Sequence, residues 1–115
     1  MIVRGANLEK FNEGVPRAGA GTIVNYRYLS EENLKNKMTG FYLNELMPGS
    51  EIGLHQHVGN EEVYFILSGK AVVNDNGKEE EIGPGDLLFT ESTQSHAMKN
   101  IGTEPLKFVA FIINL

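Results

Sequence analysis

His55 and His57 stand two residues apart in the stretch GSEIGLHQHVGNEEVYFILSG, running from Gly49 to Gly69. In a β-strand, residues two apart project from one face, so both imidazoles would point the same way. A helix would set them about 200° apart. Val58, Gly59 and Asn60 form a turn-like break, after which Glu61 and Glu62 open the β-prone run VYFIL. A returning antiparallel strand then brings one of the two carboxylates alongside the imidazoles, and imidazole nitrogen beside carboxylate oxygen is the donor chemistry of a metal site.

Two histidines on one strand cannot surround an ion, so further ligands must come from elsewhere in the chain. The one remaining histidine is His96, in TQSHAMKN, which follows GPGDLLFTE, a Gly/Pro-punctuated run that reads as a buried strand. The chain has no cysteine. That disfavours zinc-finger and iron–sulfur readings and leaves one divalent transition metal ion, Mn, Fe, Ni, Co, Cu or Zn, held by nitrogen and oxygen.

The spacing resembles that of the cupins. Their first motif is a glycine, five residues, His-x-His, three or four residues, Glu, six residues and Gly; Gly49, His55, His57, Glu62 and Gly69 fill it, and the step to Gly69 selects Glu62 over Glu61. Their second motif is a glycine, five residues, Pro-x-Gly, two residues, His, three residues and Asn. Gly85, His96 and Asn100 match, while Glu91 and Thr93 stand where the motif has Pro and Gly, a departure that leaves His96 in register. The resemblance implies an all-β jelly-roll barrel, the double-stranded β-helix of cupins, with His55, His57, Glu62 and His96 pointing into its lumen. It does not imply one reaction, because the fold hosts many.

The whole chain of 115 residues has the length of one domain, and its apolar and charged fractions are those of an ordinary globular protein. A formal charge of -5 argues against nucleic acid or anionic membrane as partners. No apolar run approaches the roughly 18 residues of a membrane helix, and the N-terminus lacks the apolar core of a signal peptide, so a cytoplasmic location is the expectation. Residues 1–21 run through GVPRAGAG, which reads as a flexible connector rather than a phosphate cradle, since no GK[ST] follows. By the same resemblance this arm pairs with a second subunit.

TIVNYRYL alternates as a strand, SEENLKNKM is a polar loop, and TGFYLNELM resumes the sheet, with Tyr42 and Asn44 on one face. KAVVNDNGKEEEIGPGDLLF reads as strand, Asn76-Gly77 hairpin and strand, with Glu79 to Glu81 solvated. In PLKFVAFIINL, an outward Lys107 turns Leu106, Phe108, Ala110 and Ile112 inward. The total is eight to ten short strands and no helix.

Around the four ligands the expected pocket residues are Tyr42, Gln94, Met98 and Phe108, with Tyr42 nominated as proton donor and Glu61 facing solvent. Three neutral imidazoles and one carboxylate leave a divalent centre at a net charge of about +1, which draws an anionic or hydroxy-carbonyl small molecule. Cupin relatives include dioxygenases, decarboxylases, sugar isomerases and epimerases, and plain binding domains. No histidine remains beyond the ligand set, which disfavours the sugar epimerase class. A metal-dependent dioxygenase or decarboxylase is the leading expectation, with a non-catalytic ligand-binding or sensory module as the alternative. Apolar outer positions such as Val63 and Phe65 lead us to expect a homodimer.

Overall fold

A computed structural model describes residues 1–115. After a single 3-10 turn, Gly5–Asn7, the chain forms ten strands: β1 (Lys10–Gly14), β2 (Ile23–Ser30), β3 (Gly40–Leu46), β4 (Glu51–Gln56), β5 (Asn60–Ser68), β6 (Ala71–Asp75), β7 (Lys78–Ile82), β8 (Leu87–Thr90), β9 (Ser95–Asn100) and β10 (Leu106–Asn114). They make two antiparallel sheets, one of six strands in the order β1-β2-β3-β10-β5-β8 and one of four in the order β4-β9-β6-β7. This is the all-β jelly-roll arrangement expected. No helix is long and apolar enough to cross a membrane.

Alternation along the strands places the core between the sheets. On β10, Leu106, Phe108 and Ala110 are buried while Lys107 is exposed. Phe108, Leu46, Ile66, Leu106 and Met98 are wholly enclosed, and each contributes roughly 1.5–3 kcal/mol by leaving water. Central β10 pairs with both β3 and β5, setting Ala110 opposite Tyr64 and Ile112 opposite Glu62. The Asn76-Gly77 hairpin forms as read, closing β6 on β7 with Asp75 opposite Lys78, and Glu79 to Glu81 are exposed. In the polar loop, Asn33 Oδ1 accepts from both the backbone N–H and the hydroxyl of Ser30.

Two expectations are corrected. The GVPRAGAG segment is not a flexible connector: Gly53 N–H donates to the Arg17 carbonyl at 2.9 Å, and Ala20 and Glu51 exchange backbone bonds of 3.0 and 2.8 Å. The contact needs glycine on both sides, because a Cβ on Gly19 would collide with the Glu51 carbonyl and one on Gly53 with that of Ala18. Val63 is buried rather than exposed, standing between its register neighbours Phe111 on β10 and Phe89 on β8. Phe65 does remain on the surface, with Leu67, Leu87 and Phe89.

Candidate metal centre

The donors converge from both sheets. β4 carries His55, His57 follows the strand end directly, β9 carries His96 opposite His55, and β5 of the larger sheet carries Glu62. The ligand atoms of His55, His57, Glu62 and His96 all lie within 4.8 Å of one another. His96 Nε2 is 3.1 Å from both His55 Nε2 and His57 Nε2. Glu62 Oε1 is 3.0 Å from His57 Nε2 and 3.1 Å from His96 Nε2.

What turns the three rings inward is the partner of each Nδ1. His55 Nδ1 donates to the Gly53 carbonyl at 2.7 Å, His57 Nδ1 to Asn60 Oδ1 at 2.9 Å, and His96 Nδ1 meets Thr90 Oγ1 at 2.7 Å. With the Nδ1 proton assigned to these bonds, the neutral form of each ring turns a bare Nε2 inward, as a metal-ligating histidine requires. Three nitrogen lone pairs and a carboxylate oxygen aimed at one point repel unless a positive charge sits among them. Two nitrogens each about 2.1 Å from an ion at a right angle stand roughly 3.0 Å apart, close to the spacing found. The donor set therefore fits a divalent transition ion.

Electrostatics point the same way. Burial opposes ionisation of Glu62, but the bonds from His57 and His96 outweigh it and hold the carboxyl at about 2. The Glu62 bond raises His57 above the ordinary imidazole value against the pull of burial, whereas burial lowers His55. In the free protein the Glu62 carboxylate thus favours a proton on His57.

His55, His57 and Glu62 line a cavity of about 400 Å³. Tyr42 lines it, and the hydroxyl of this nominated proton donor donates to the Thr39 carbonyl at 3.3 Å. The remaining expected pocket residues are not on the cavity wall. Gln94 Oε1 accepts the Glu91 N–H at 3.0 Å, and Met98 and Phe108 sit in the core beneath. Glu91 is exposed, and Glu61 is half-buried.

Sequence reasoning passed over three features of the wall. Tyr64 stacks on the His96 ring with centroids 4.9 Å apart, and burial pushes its phenol well above the usual range. Its signal was the two-residue step from Glu62. Asn25 and Asn44 face each other across β2 and β3, with Asn25 Nδ2 donating to Asn44 Oδ1 at 2.6 Å, and amides at inward positions were the clue there. Arg17 lines the cavity through the arm's contact with β4, which no local pattern announces.

A family model for the cupin domain matches residues 42–112. The chain is 41% identical to the oxalate-binding protein of Thermotoga maritima over 115 residues, spanning all of this chain and 95% of that one. It is similar throughout both chains to the crystal structure of a protein described as a predicted oxalate decarboxylase from Thermotoga maritima, with 40% identity and a TM-score of 0.95. A polyketide cyclase from Streptomyces resistomycificus, 15% identical with a TM-score of 0.78 over all of this chain and 84% of that one, shares the fold alone.

Proposed function

The chain belongs to the cupin family, and from that premise we propose that it is a metal-dependent binder of a small carboxylate, oxalate or a close relative, with residues 1–115 acting as one cupin domain. The observation that carries this is the convergence of three inward-facing Nε2 atoms and Glu62 Oε1, each ring fixed through Nδ1, beside a cavity that Arg17 also lines. His55, His57, Glu62 and His96 would hold the ion. When bound, the ion supplies Lewis acidity toward an oxyanion. The relative's name, oxalate-binding protein, supports this ligand class.

Turnover is the second reading, in keeping with the relative described as a predicted oxalate decarboxylase. Decarboxylation or dioxygenation needs a group to manage a proton. Glu62 is the one carboxylate on the cavity wall, and the Tyr42 hydroxyl is committed to Thr39. Tyr64 remains, and its burial favours the protonated phenol. That balance favours holding the ligand over converting it.

The test is calorimetry with oxalate on metal-loaded and chelator-stripped protein, with oxygen uptake and CO2 release followed in parallel. We expect oxalate to bind the loaded form alone, with little gas exchange. Equal binding to both forms would sink the metal-dependent reading, and sustained CO2 release would replace binder by enzyme. The exposed row of Phe65, Leu67, Leu87 and Phe89 on the outer face of the larger sheet supports a homodimer. A clean monomer in sedimentation at high concentration would remove that part.

A further inference from the structure

Among the residues that line the cavity, only Arg17 and Glu62 bear a fixed charge. Glu62 is taken up by His57 and His96. Arg17 forms no ion pair, the others of the protein being Lys10–Glu13 and Lys78–Glu80. Arg27, by contrast, is engaged over the Phe11 ring at 4.2 Å. A guanidinium on a cavity wall with nothing in the protein to neutralise it is a receptor for an anion.

The arm's anchoring brings Arg17 to the histidine centre. Pro16 to Gly19 form a tight turn, with Gly19 N–H donating to the Pro16 carbonyl at 3.1 Å, and Ala18 within it holds φ +54°, a strained conformation for a residue with a Cβ. The Arg17 carbonyl accepts from Gly53 N–H at 2.9 Å, and the Gly53 carbonyl in turn accepts His55 Nδ1 at 2.7 Å. One glycine thus ties the arm to a ligand ring. Behind burial at His55 and Tyr64, and behind the Glu62 bond at His57, the positive charge of Arg17 also acts on all three groups, in each case favouring the deprotonated form. Such an effect falls off with distance, so the guanidinium lies toward these side chains. Arg17 is exposed, which sets it where the cavity opens to solvent.

Charge then discriminates among ligands. A divalent ion less the Glu62 carboxylate leaves about one positive charge, and Arg17 adds a second. We infer that Arg17 makes the site selective for a compact dianion, its negative charge shared between the ion and the guanidinium, over a monoanion of the same shape. Because the two positive charges lie close together, the fitted ligand carries adjacent carboxylates rather than carboxylates spaced along a chain. This rests on the carboxylate-binding reading above and goes further by naming the residue that senses the ligand's charge.

The experiment is calorimetry on Mn2+-loaded protein with oxalate and oxamate, which share a shape and differ by one negative charge. Oxalate chelates manganese more strongly of itself, so the quantity that matters is the ratio of the two affinities and how Arg17 changes it. Arg17→Met should lower that ratio by at least about tenfold, the size of one charge-assisted hydrogen bond, with oxamate held within a few-fold and metal content unchanged. Arg17→Lys, which keeps the charge, should restore part of the ratio. A ratio no higher there than in Arg17→Met would overturn the role given to charge. An unchanged ratio in Arg17→Met, or equal losses for both ligands, would overturn the inference while oxalate binding to the unaltered protein sustains the carboxylate-binding reading. Failure of both ligands to bind the metal-loaded, unaltered protein would overturn the two together.

Discussion

Two loops flank the donors, and they reach the same backbone conformation by different means. In the connection between β4 and β5, Gly59 takes φ +78°; in the connection between β8 and β9, Thr93 takes φ +78° as well. Glycine enters that region freely, whereas a β-branched side chain there is strained. The second loop is held in place by the first. Thr93 N–H donates to the His57 carbonyl at 2.6 Å, His57 N–H to the Gln94 carbonyl at 3.0 Å, Gln56 Nε2 to the Thr93 carbonyl at 2.8 Å and Gly59 N–H to Ser92 Oγ at 3.0 Å. Glu91, where the family motif has proline, has an N–H, and Gln94 Oε1 accepts it. One loop is shaped by its own residues and the other by its neighbour's.

The largest expected effect tests whether the first loop holds the ion at all. His57→Ala removes a donor and also the group that pairs Glu62, so metal affinity should fall by more than about 100-fold, since loss of a mere supporting partner already costs about 10–100-fold. Elemental analysis of the variant, with a far-ultraviolet spectrum to show the sheets intact, checks this. Unchanged metal content would exclude His57 as a ligand.

The contrast between the loops also explains what could be read from the sequence. His55, His57 and Glu62 lie within eight residues, where strand period and a glycine turn fix their relation, and the Asn76-Gly77 hairpin was legible for the same reason. His96 was legible through its spacing to Asn100, whose buried amide donates to the carbonyls of Leu46 and Glu104. Arg17 was not legible, because it reaches the cavity through backbone contacts with Gly53, 36 positions further along the chain. The burial of Val63 depends on Phe111 and Phe89, brought beside it by strand order alone. Gln94 was assigned to the pocket by its nearness to His96, but the turn claimed its side chain. Pairing across long distances in sequence, and competition for a polar group within a loop, leave no periodic trace.

Next in size are the residues that orient the rings, one from each side of the comparison. Asn60→Ala frees His57 Nδ1, and Thr90→Val frees His96 Nδ1 while nearly preserving volume. Each should weaken metal binding by about 10–100-fold. If the loops are equivalent as platforms, the two losses will agree within a few-fold. A loss confined to Asn60→Ala would mean that packing against Tyr64 is enough to orient His96.

Proton competition separates His55 on β4 from His57 at its end. Glu62 raises His57 above its ordinary 6.5, so in the free protein His57 retains its proton past that pH and must release it to ligate. Burial lowers His55, which gives up its proton more readily than an ordinary imidazole and competes in more acid solution than His57. Metal affinity should therefore fall roughly tenfold per unit as pH drops through the raised His57 value, more steeply once His55 begins to protonate. Calorimetry at pH 6.5 in two buffers of different ionisation heat should reveal protons released on metal uptake. An identical heat in both would contradict a protonated His57.

The smallest effect bears most directly on the difference between the loops. Strain at a non-glycine residue in the left-handed region costs on the order of 1–3 kcal/mol, and glycine returns about 0.5–1 kcal/mol of that through the greater freedom of its unfolded chain. Thr93→Gly should thus stabilise the protein by about 1 kcal/mol, read as a higher urea midpoint at constant slope, and leave metal affinity alone because the bonds from Thr93 are made by its backbone. Gly59→Thr should cost a similar amount or more. A Cβ at Gly59 meets nothing within 4 Å, so any loss there is conformational rather than steric. If Thr93→Gly instead weakens metal binding while raising the midpoint, the strained threonine is helping to press His57 into place, and the second loop shapes the first as much as it is shaped by it.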